Sequence, residues 1–214
     1  MLQAVLLFCL YIIQTMPFSE NSINPDPFIQ FGIWYEKRMT DTSVYPEAVN
    51  LSTSTSGGHV SSRIVLLKEF SESGFVFYTN YNSRKGQQLT ENPFAAMLFY
   101  WPESGRQVRI EGRVIKVSPE ESDIYFASRP RESRIGAWAS EQSTVIPDRD
   151  FLESRIDDFA RQFHNKQVPR PSHWGGFRLV PLMFEFWQEG EFRLHDRFRY
   201  SGKGKAWKIS RLSP

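Results

Sequence analysis

Between residues 48 and 117 the chain repeats one pattern, a short β-prone stretch followed by a turn. Ala48–Thr55 alternates in β fashion, Gly57-Gly58 supplies a turn, and His59–Lys68 follows as a second strand. Ser73-Gly74 turns into Phe75–Asn80, and Asn92-Pro93 precedes Phe94–Trp101, which reads as a buried strand. Gln107–Val117 alternates cleanly and reads as half exposed. Consecutive strands joined by turns this short predict an antiparallel meander or barrel, which can close its own edges. The expected fold class is mainly β, antiparallel, with flanking helices.

The helices carry their own start and stop signals. Asp26 predicts an N-cap with Pro27 at the first helical position, and Phe28, Phe31, Trp34 and Tyr35 make an amphipathic stripe. Ser118 predicts a second cap, with Pro119 next and Glu121 completing a capping box; this helix runs to about Ser128 before Pro130 stops it. A short helix then passes through Ile135–Ala139, and Pro147-Asp148 opens a longer one, Arg149 to about Asn165. Trp174–Pro181, Leu182–Trp187, Arg193–Tyr200 and Ala206–Leu212 read as closing strands. No long linker interrupts the pattern, so 24–214 reads as one domain preceded by an apolar extension, 1–23.

Composition narrows the function classes. With 214 residues and 15% aromatic content the chain can bury a substantial core, and its net charge of +2, without a long Lys/Arg run, offers no track for nucleic acid. One cysteine, Cys9, excludes an intramolecular disulfide and a Cys-based metal site, and histidines at 59, 164, 173 and 195 lack any metal-ligand spacing. The apolar run Leu2–Ile13 is too short to span a bilayer; it lacks a preceding Lys or Arg and a following A-x-A-like site, as a secretory signal would have. It reads alternatively as an upstream extension with Met16 as the functional start. The cysteine-poor remainder points to the cytoplasm, with targeting by the apolar run as the alternative.

Four clusters could carry chemistry. If Arg193–Arg197 is extended, Arg193, His195 and Arg197 share one face and need an anion among them; an exposed edge-strand face is the other reading. Arg63 and Lys68, five apart on a strand, face opposite sides and could serve two anions, or they are solvated strand ends. Tyr78-Thr79-Asn80 followed by Ser83-Arg84-Lys85-Gly86 is a strand and a turn able to present donors to a phosphate, without the P-loop pattern, or is an ordinary polar turn. Tyr125 and Arg129 share a helix face with Ser133 just beyond Pro130, forming either an anion site or a helix-capping cluster. No nucleophile has a supporting base, so redox chemistry would need an organic cofactor.

Together these motifs, with Gln107–Gly112, Ile135-Gly-Ala, Gln142-Ser143, Trp174-Gly-Gly, Phe186-Trp187-Gln and the tail Trp207–Pro214, stand in the order and spacing of the pyridoxamine 5'-phosphate oxidase family, which the chain resembles from about Asp26 to Pro214. The resemblance implies an FMN-binding split β-barrel and a homodimer with FMN at the subunit interface. It implies FMN contacts at Arg63, Ile64, Val65, Leu66, Tyr78, Thr79, Arg84, Lys85, Gln107, Gln142, Ser143, Trp187 and Arg197. Lys68, Tyr125, Arg129 and Ser133 would hold the substrate phosphate, with Arg193, Leu194 and His195 beside the pyridine ring; Arg193, His195 and Arg197 would be the catalytic set. The implied reaction oxidises pyridoxamine or pyridoxine 5'-phosphate to pyridoxal 5'-phosphate, with O2 giving H2O2, as in vitamin B6 biosynthesis. One departure is the N-terminus, where family members often carry a substrate lid with Arg and Tyr and this chain has Leu2–Ile13. The alternatives are a non-enzymatic FMN or pyridoxal-phosphate carrier and another split-barrel flavin reductase.

Overall fold

The structure, a computed structural model, describes residues 18–39, 45–204 and 206–214; the apolar run and any lid lie outside them. The chain packs as two compact units, one made of Met1–Pro46, Leu98–Ile110 and Leu182–Pro214, the other of Glu47–Met97 and Glu111–Pro181. Among the described residues no helix is long and apolar enough to cross a membrane, and no group of three or more His, Cys, Asp or Glu is placed to hold a metal.

The strands are β1 (Ala48–Ser54), β2 (Val60–Leu66), β3 (Glu69–Ser71), β4 (Gly74–Asn80), β5 (Phe94–Trp101), β6 (Arg106–Lys116), β7 (Trp174–Gln188), β8 (Asp196–Lys203) and β9 (Ala206–Arg211). Hydrogen-bonded neighbours run β2-β1-β5-β6-β7-β4-β3, with β8 on β7 and β9 on β8. The β1–β2, β3–β4, β4–β7, β7–β8 and β8–β9 ladders are antiparallel. Among the described residues strand β2 has a strand partner on one side only.

In the first unit, helix α1 (Pro27–Met39) starts where Asp26 Oδ1 accepts the Phe28 N–H at 2.8 Å. Its stripe is the core: Phe31 meets Phe99 edge-on at 5.0 Å, Trp34 meets Phe186 at 5.3 Å, and Phe28 meets Phe184 at 5.2 Å. In the second unit, Phe126, Ile135, Phe163, Val168 and Trp174 form a buried cluster joined by Tyr78 and Tyr125.

Several sequence expectations are corrected. Trp174–Pro181 and Leu182–Trp187 are one strand, β7: its ladder to β4 ends at Leu179 and its ladder to β8 begins at Met183, so Pro181 falls between them, where a missing N–H breaks neither. Phe94–Trp101 is half buried, with Phe94 and Tyr100 exposed. The polar turn after Asn80 is helix α2 (Arg84–Glu91), capped by Ser83, whose Oγ accepts the Gly86 N–H. Ser118 caps α3 (Pro119–Ser128) by accepting the Glu121 N–H at 3.0 Å, but the Glu121 carboxylate pairs with Arg178 at 2.8 Å and does not close a capping box. Helix α4 spans Arg131–Ala139, and α5 (Arg149–Gln162), capped by Asp148, stops short of Asn165. The strand expected from Arg193 begins only at Asp196: Glu191–Arg193 is a single 3-10 turn, and Phe192 and Arg193 sit at φ 55° and 65°. Left-handed residues cannot be pleated, so Arg193, His195 and Arg197 do not share a strand face.

Candidate functional site

The second unit holds a cavity of about 1020 Å³, lined by Arg63, Ile64, Val65, Leu66, Lys68, Tyr78, Thr79, Arg84, Lys85, Tyr125, Arg129, Ser133, Gln142, Ser143, Trp174 and neighbours. That volume is at the top of the usual range for small-molecule sites, roughly 300–1,000 Å³. Arg63 and Lys68 open onto this same space, which corrects the expectation that they face opposite ways. Strand β2 ends at Leu66, and beyond it Leu67 N–H bonds Glu47 O and Lys68 N–H bonds Val76 O, so side-chain alternation stops before Lys68. Lys68 Nζ lies 3.3 Å from the Glu47 carboxylate.

One group of cations gathers where β2 meets the start of α2. Arg63 Nη1 donates to Leu51 O at 3.1 Å and Thr53 Oγ1 at 2.7 Å, while Nη2 donates to Ser61 Oγ. Lys85 Nζ donates to Gln142 Oε1 at 2.8 Å, Thr79 Oγ1 at 3.0 Å and Ser83 Oγ at 3.2 Å. Every one of those acceptors is neutral. Burial, and then the nearby Arg63, push Lys85 down to about 8, and burial followed by Arg84 lowers Arg63. Arg84 and Lys85 also occupy the first positions of α2, the positive end of its dipole. Three cations crowded there, with no carboxylate paired to Arg63 or Lys85 among the described residues, make a site complementary to a phosphate.

A second group lies at the end of α3. The rings of Tyr78 and Tyr125 stack at 3.9 Å and those of Tyr78 and Trp174 at 5.6 Å; the Arg129 guanidinium lies 4.6 Å over Trp174. Arg129 Nη1 is buried without a hydrogen-bond partner, and burial lowers the guanidinium below its ordinary value. Burial, then Glu121, pushes Tyr78 up to about 12, so its phenol stays protonated as a donor. The glycines after Trp174 allow this packing, since a Cβ at Gly176 would lie 2.8 Å from Tyr78 Cε1 and one at Gly175 2.1 Å from Tyr81 Oη. A tryptophan followed by two glycines on a strand is the sequence signal for this close aromatic packing.

Gln107, Trp187, Arg193, Leu194, His195 and Arg197 belong to the first unit and are not part of the cavity lining. There the Trp187 and His195 rings are 4.6 Å apart, and the Gly190 N–H donates to His195 Nδ1 at 3.2 Å. Arg197 donates from Nε and Nη2 to Glu185 Oε1 at 2.9 and 2.8 Å and from Nη1 to Ser213 O at 2.8 Å. Arg109 reaches Glu185 Oε2 at 2.8 Å, so a carboxylate only 2% exposed sits between two guanidiniums and offsets part of the Arg197 charge. Leu194 is exposed and Gln107 lies on β6.

The sequence model of the family described as pyridoxamine 5'-phosphate oxidase matches residues 37–163, and that of the pyridoxine 5'-phosphate oxidase C-terminal dimerisation region matches 174–214. The chain belongs to the pyridoxamine 5'-phosphate oxidase family. It is 53% identical over 197 residues to a pyridoxine/pyridoxamine 5'-phosphate oxidase of Nostoc sp., covering 92% of each chain, and 54% identical over 195 residues to one of Paraburkholderia phymatum, covering 91% of this chain and 92% of that one. Among solved structures, PhzG of Burkholderia lata in complex with tetrahydrophenazine-1-carboxylic acid is 32% identical, with TM-score 0.86 over 94% of this chain and 98% of that one. A pyridoxamine 5'-phosphate oxidase-related, FMN-binding protein of Nostoc punctiforme shares the fold at 18% identity, with TM-score 0.69 over 88% of this chain and 98% of that one. The pyridoxamine 5'-phosphate oxidase split-barrel fold and the oxidoreductase class are thereby shown.

Proposed function

We propose that the protein is a homodimeric FMN-dependent oxidase that converts pyridoxamine or pyridoxine 5'-phosphate to pyridoxal 5'-phosphate, with O2 accepting the electrons. The observation that carries this is the cavity lined by two cation groups, Arg63/Arg84/Lys85 and, at the end of α3, Arg129, each suited to one phosphate, with Lys68 on the same lining and paired to Glu47. Two phosphorylated molecules that must meet face to face are what such a site is built to hold. The donor set fits FMN: buried cations with neutral partners suit its phosphate, and the unpaired edge of β2 at Ile64–Leu66 offers main-chain donors and acceptors to a polar ring.

Bound there, FMN supplies a two-electron acceptor that O2 reoxidises with release of H2O2. The protein's part is positioning. Arg63, Arg84 and Lys85 hold the cofactor phosphate, with Thr79 and Gln142 fixing Lys85. Lys68, Tyr125, Arg129 and Ser133 hold the substrate phosphate, and the buried Arg129 Nη1 without a partner is the donor that phosphate would satisfy. In the proposed homodimer Arg193 and His195 would orient the substrate ring, and Arg197, braced by Glu185, would stand by the cofactor. Fixing both partners would remove the entropic part of the barrier to bringing substrate and cofactor together.

The purified chain, reconstituted with FMN, is to be given pyridoxamine 5'-phosphate, pyridoxine 5'-phosphate and, as a rival, tetrahydrophenazine-1-carboxylic acid in air. Peroxide and pyridoxal 5'-phosphate from the first two are expected. Flavin binding without peroxide would leave a carrier, and turnover of the tricyclic acid alone would move the activity to that class.

A further inference from the structure

We infer that His195 acts as a neutral hydrogen-bond donor through Nε2, held in that tautomer by the Gly190 main-chain N–H, and that it is not the general base of the reaction. The placement of His195 beside the substrate rests on the proposed function; the tautomer rests on geometry alone.

The chain leaves β7 after Gln188 and turns back on itself within six residues. The left-handed φ values of Phe192 and Arg193 and the Leu194 N–H bond to Glu191 O at 2.9 Å make that turn tight enough for residue 190 to meet residue 195. Only glycine fits at 190, because a Cβ there would lie 2.2 Å from Leu194 O and 3.4 Å from His195 Cα. In exchange the Gly190 N–H points at His195 Nδ1 at 3.2 Å, and the imidazole rests 4.6 Å from the Trp187 ring at 45°. A nitrogen that accepts an N–H cannot also carry a proton, so Nδ1 is the bare nitrogen and the ring proton sits on Nε2. Protonating Nδ1 would set N–H against N–H. Both nitrogens are thus committed, one as acceptor to the main chain and the other as donor to a ligand acceptor atom, and neither is free to take a substrate proton. Gly190 is a positioning residue that acts through His195.

The tautomer is read by nitrogen NMR on the uniformly ¹⁵N-labelled full chain with cofactor bound. Nδ1 should show a pyridine-type shift and Nε2 a pyrrole-type shift, with a through-hydrogen-bond coupling between Gly190 N and His195 Nδ1; a proton on Nδ1 overturns the inference. The role is read by two variants. His195→Gln keeps an N–H near the Nε2 position but has no basic nitrogen, and should keep turnover within about tenfold, whereas loss of a general base costs ~10²–10⁴. His195→Phe keeps a flat ring without nitrogens and should lose clearly more than His195→Gln. A collapse of His195→Gln into the general-base range, or equal activity of the Gln and Phe variants, refutes the donor role. If the wild type oxidises none of the offered substrates, the proposed function fails while the NMR result still decides the tautomer.

Discussion

Lys85→Met should stabilise the cofactor-free protein and weaken its hold on FMN. Lys85 is 9% exposed, and burial followed by Arg63 takes it from 10.5 to about 8. At about 1.4 kcal/mol per unit that shift corresponds to a ceiling of ~3.5 kcal/mol of destabilisation carried at neutral pH. Against it stand three hydrogen bonds to neutral acceptors, but none of those acceptors is orphaned by the change. Thr79 Oγ1 still donates to Gln142 Oε1 at 3.0 Å, and Ser83 Oγ keeps the Gly86 N–H and Asn80 O. Methionine fills similar volume without a charge to desolvate. The expected net gain is about 1–2 kcal/mol, roughly 2–8 °C in Tm for a chain of this size. Loss of a charge-assisted bond to phosphate costs about 1.5–3 kcal/mol, or ~10–100-fold in affinity. Calorimetry on the flavin-free protein and quenching of FMN fluorescence on titration measure the two quantities. A lowered Tm, or an unchanged Kd for FMN, would refute the claim that Lys85 is a strained cation awaiting an anion.

The same lysine sets a pH dependence. Its folded value is depressed, so between about pH 8 and 10.5 the unfolded chain holds more protons and the flavin-free protein should gain stability as pH rises through that window. FMN affinity should fall over the same range, by up to about tenfold per unit, as the phosphate loses a charged partner; a flat titration from pH 7 to 10 would contradict this. Arg129→Met should raise KM for the phosphorylated substrate by ~10–100-fold while leaving FMN binding and turnover of unphosphorylated pyridoxamine unchanged, which steady-state kinetics on both substrates tests. Glu185→Ala removes the acceptor of Arg197 and Arg109, whose side chains are 26% and 42% exposed and partly rescued by water. The loss expected in urea denaturation is about 1.5–3 kcal/mol, with Glu185→Gln recovering part of it.

The elements that could be read from sequence were those signalled locally. Asp26-Pro27, Ser118-Pro119 and Asp148 announce their helices because a cap is a short-range hydrogen bond, β1 and β6 announce themselves by alternation, and β4 by the Ser73-Gly74 turn before it. Helix α2 was hidden because Arg84-Lys85-Gly86 places two cations against the helix dipole and a poor helix former after them; the sequence there answers to the site more than to the helix. The site residues were legible as residue types, but their grouping was not. Lys68 joins Arg63 in one cavity only because β2 ends two residues early, and Arg193 leaves the face of His195 and Arg197 because two residues without glycine's freedom take positive φ. Neither break has a signature in composition or period: the end of β2 is fixed by main-chain bonds to Glu47 and Val76, and the 190–195 turn by local bonds that no sequence pattern announces.

Strand β2 also has a consequence for how the family can change. If the proposed cofactor ring is read by the main chain of Ile64, Val65 and Leu66, that contact is indifferent to what those side chains are, provided each still suits an extended edge. Those positions should then drift among aliphatic residues without altering the grip on the ring, whereas Arg63, one residue earlier, would make its contact through the side chain and should not. A deep substitution scan across 60–68 would therefore show tolerance and intolerance side by side on one strand, a mutational barcode of which atoms do the recognising.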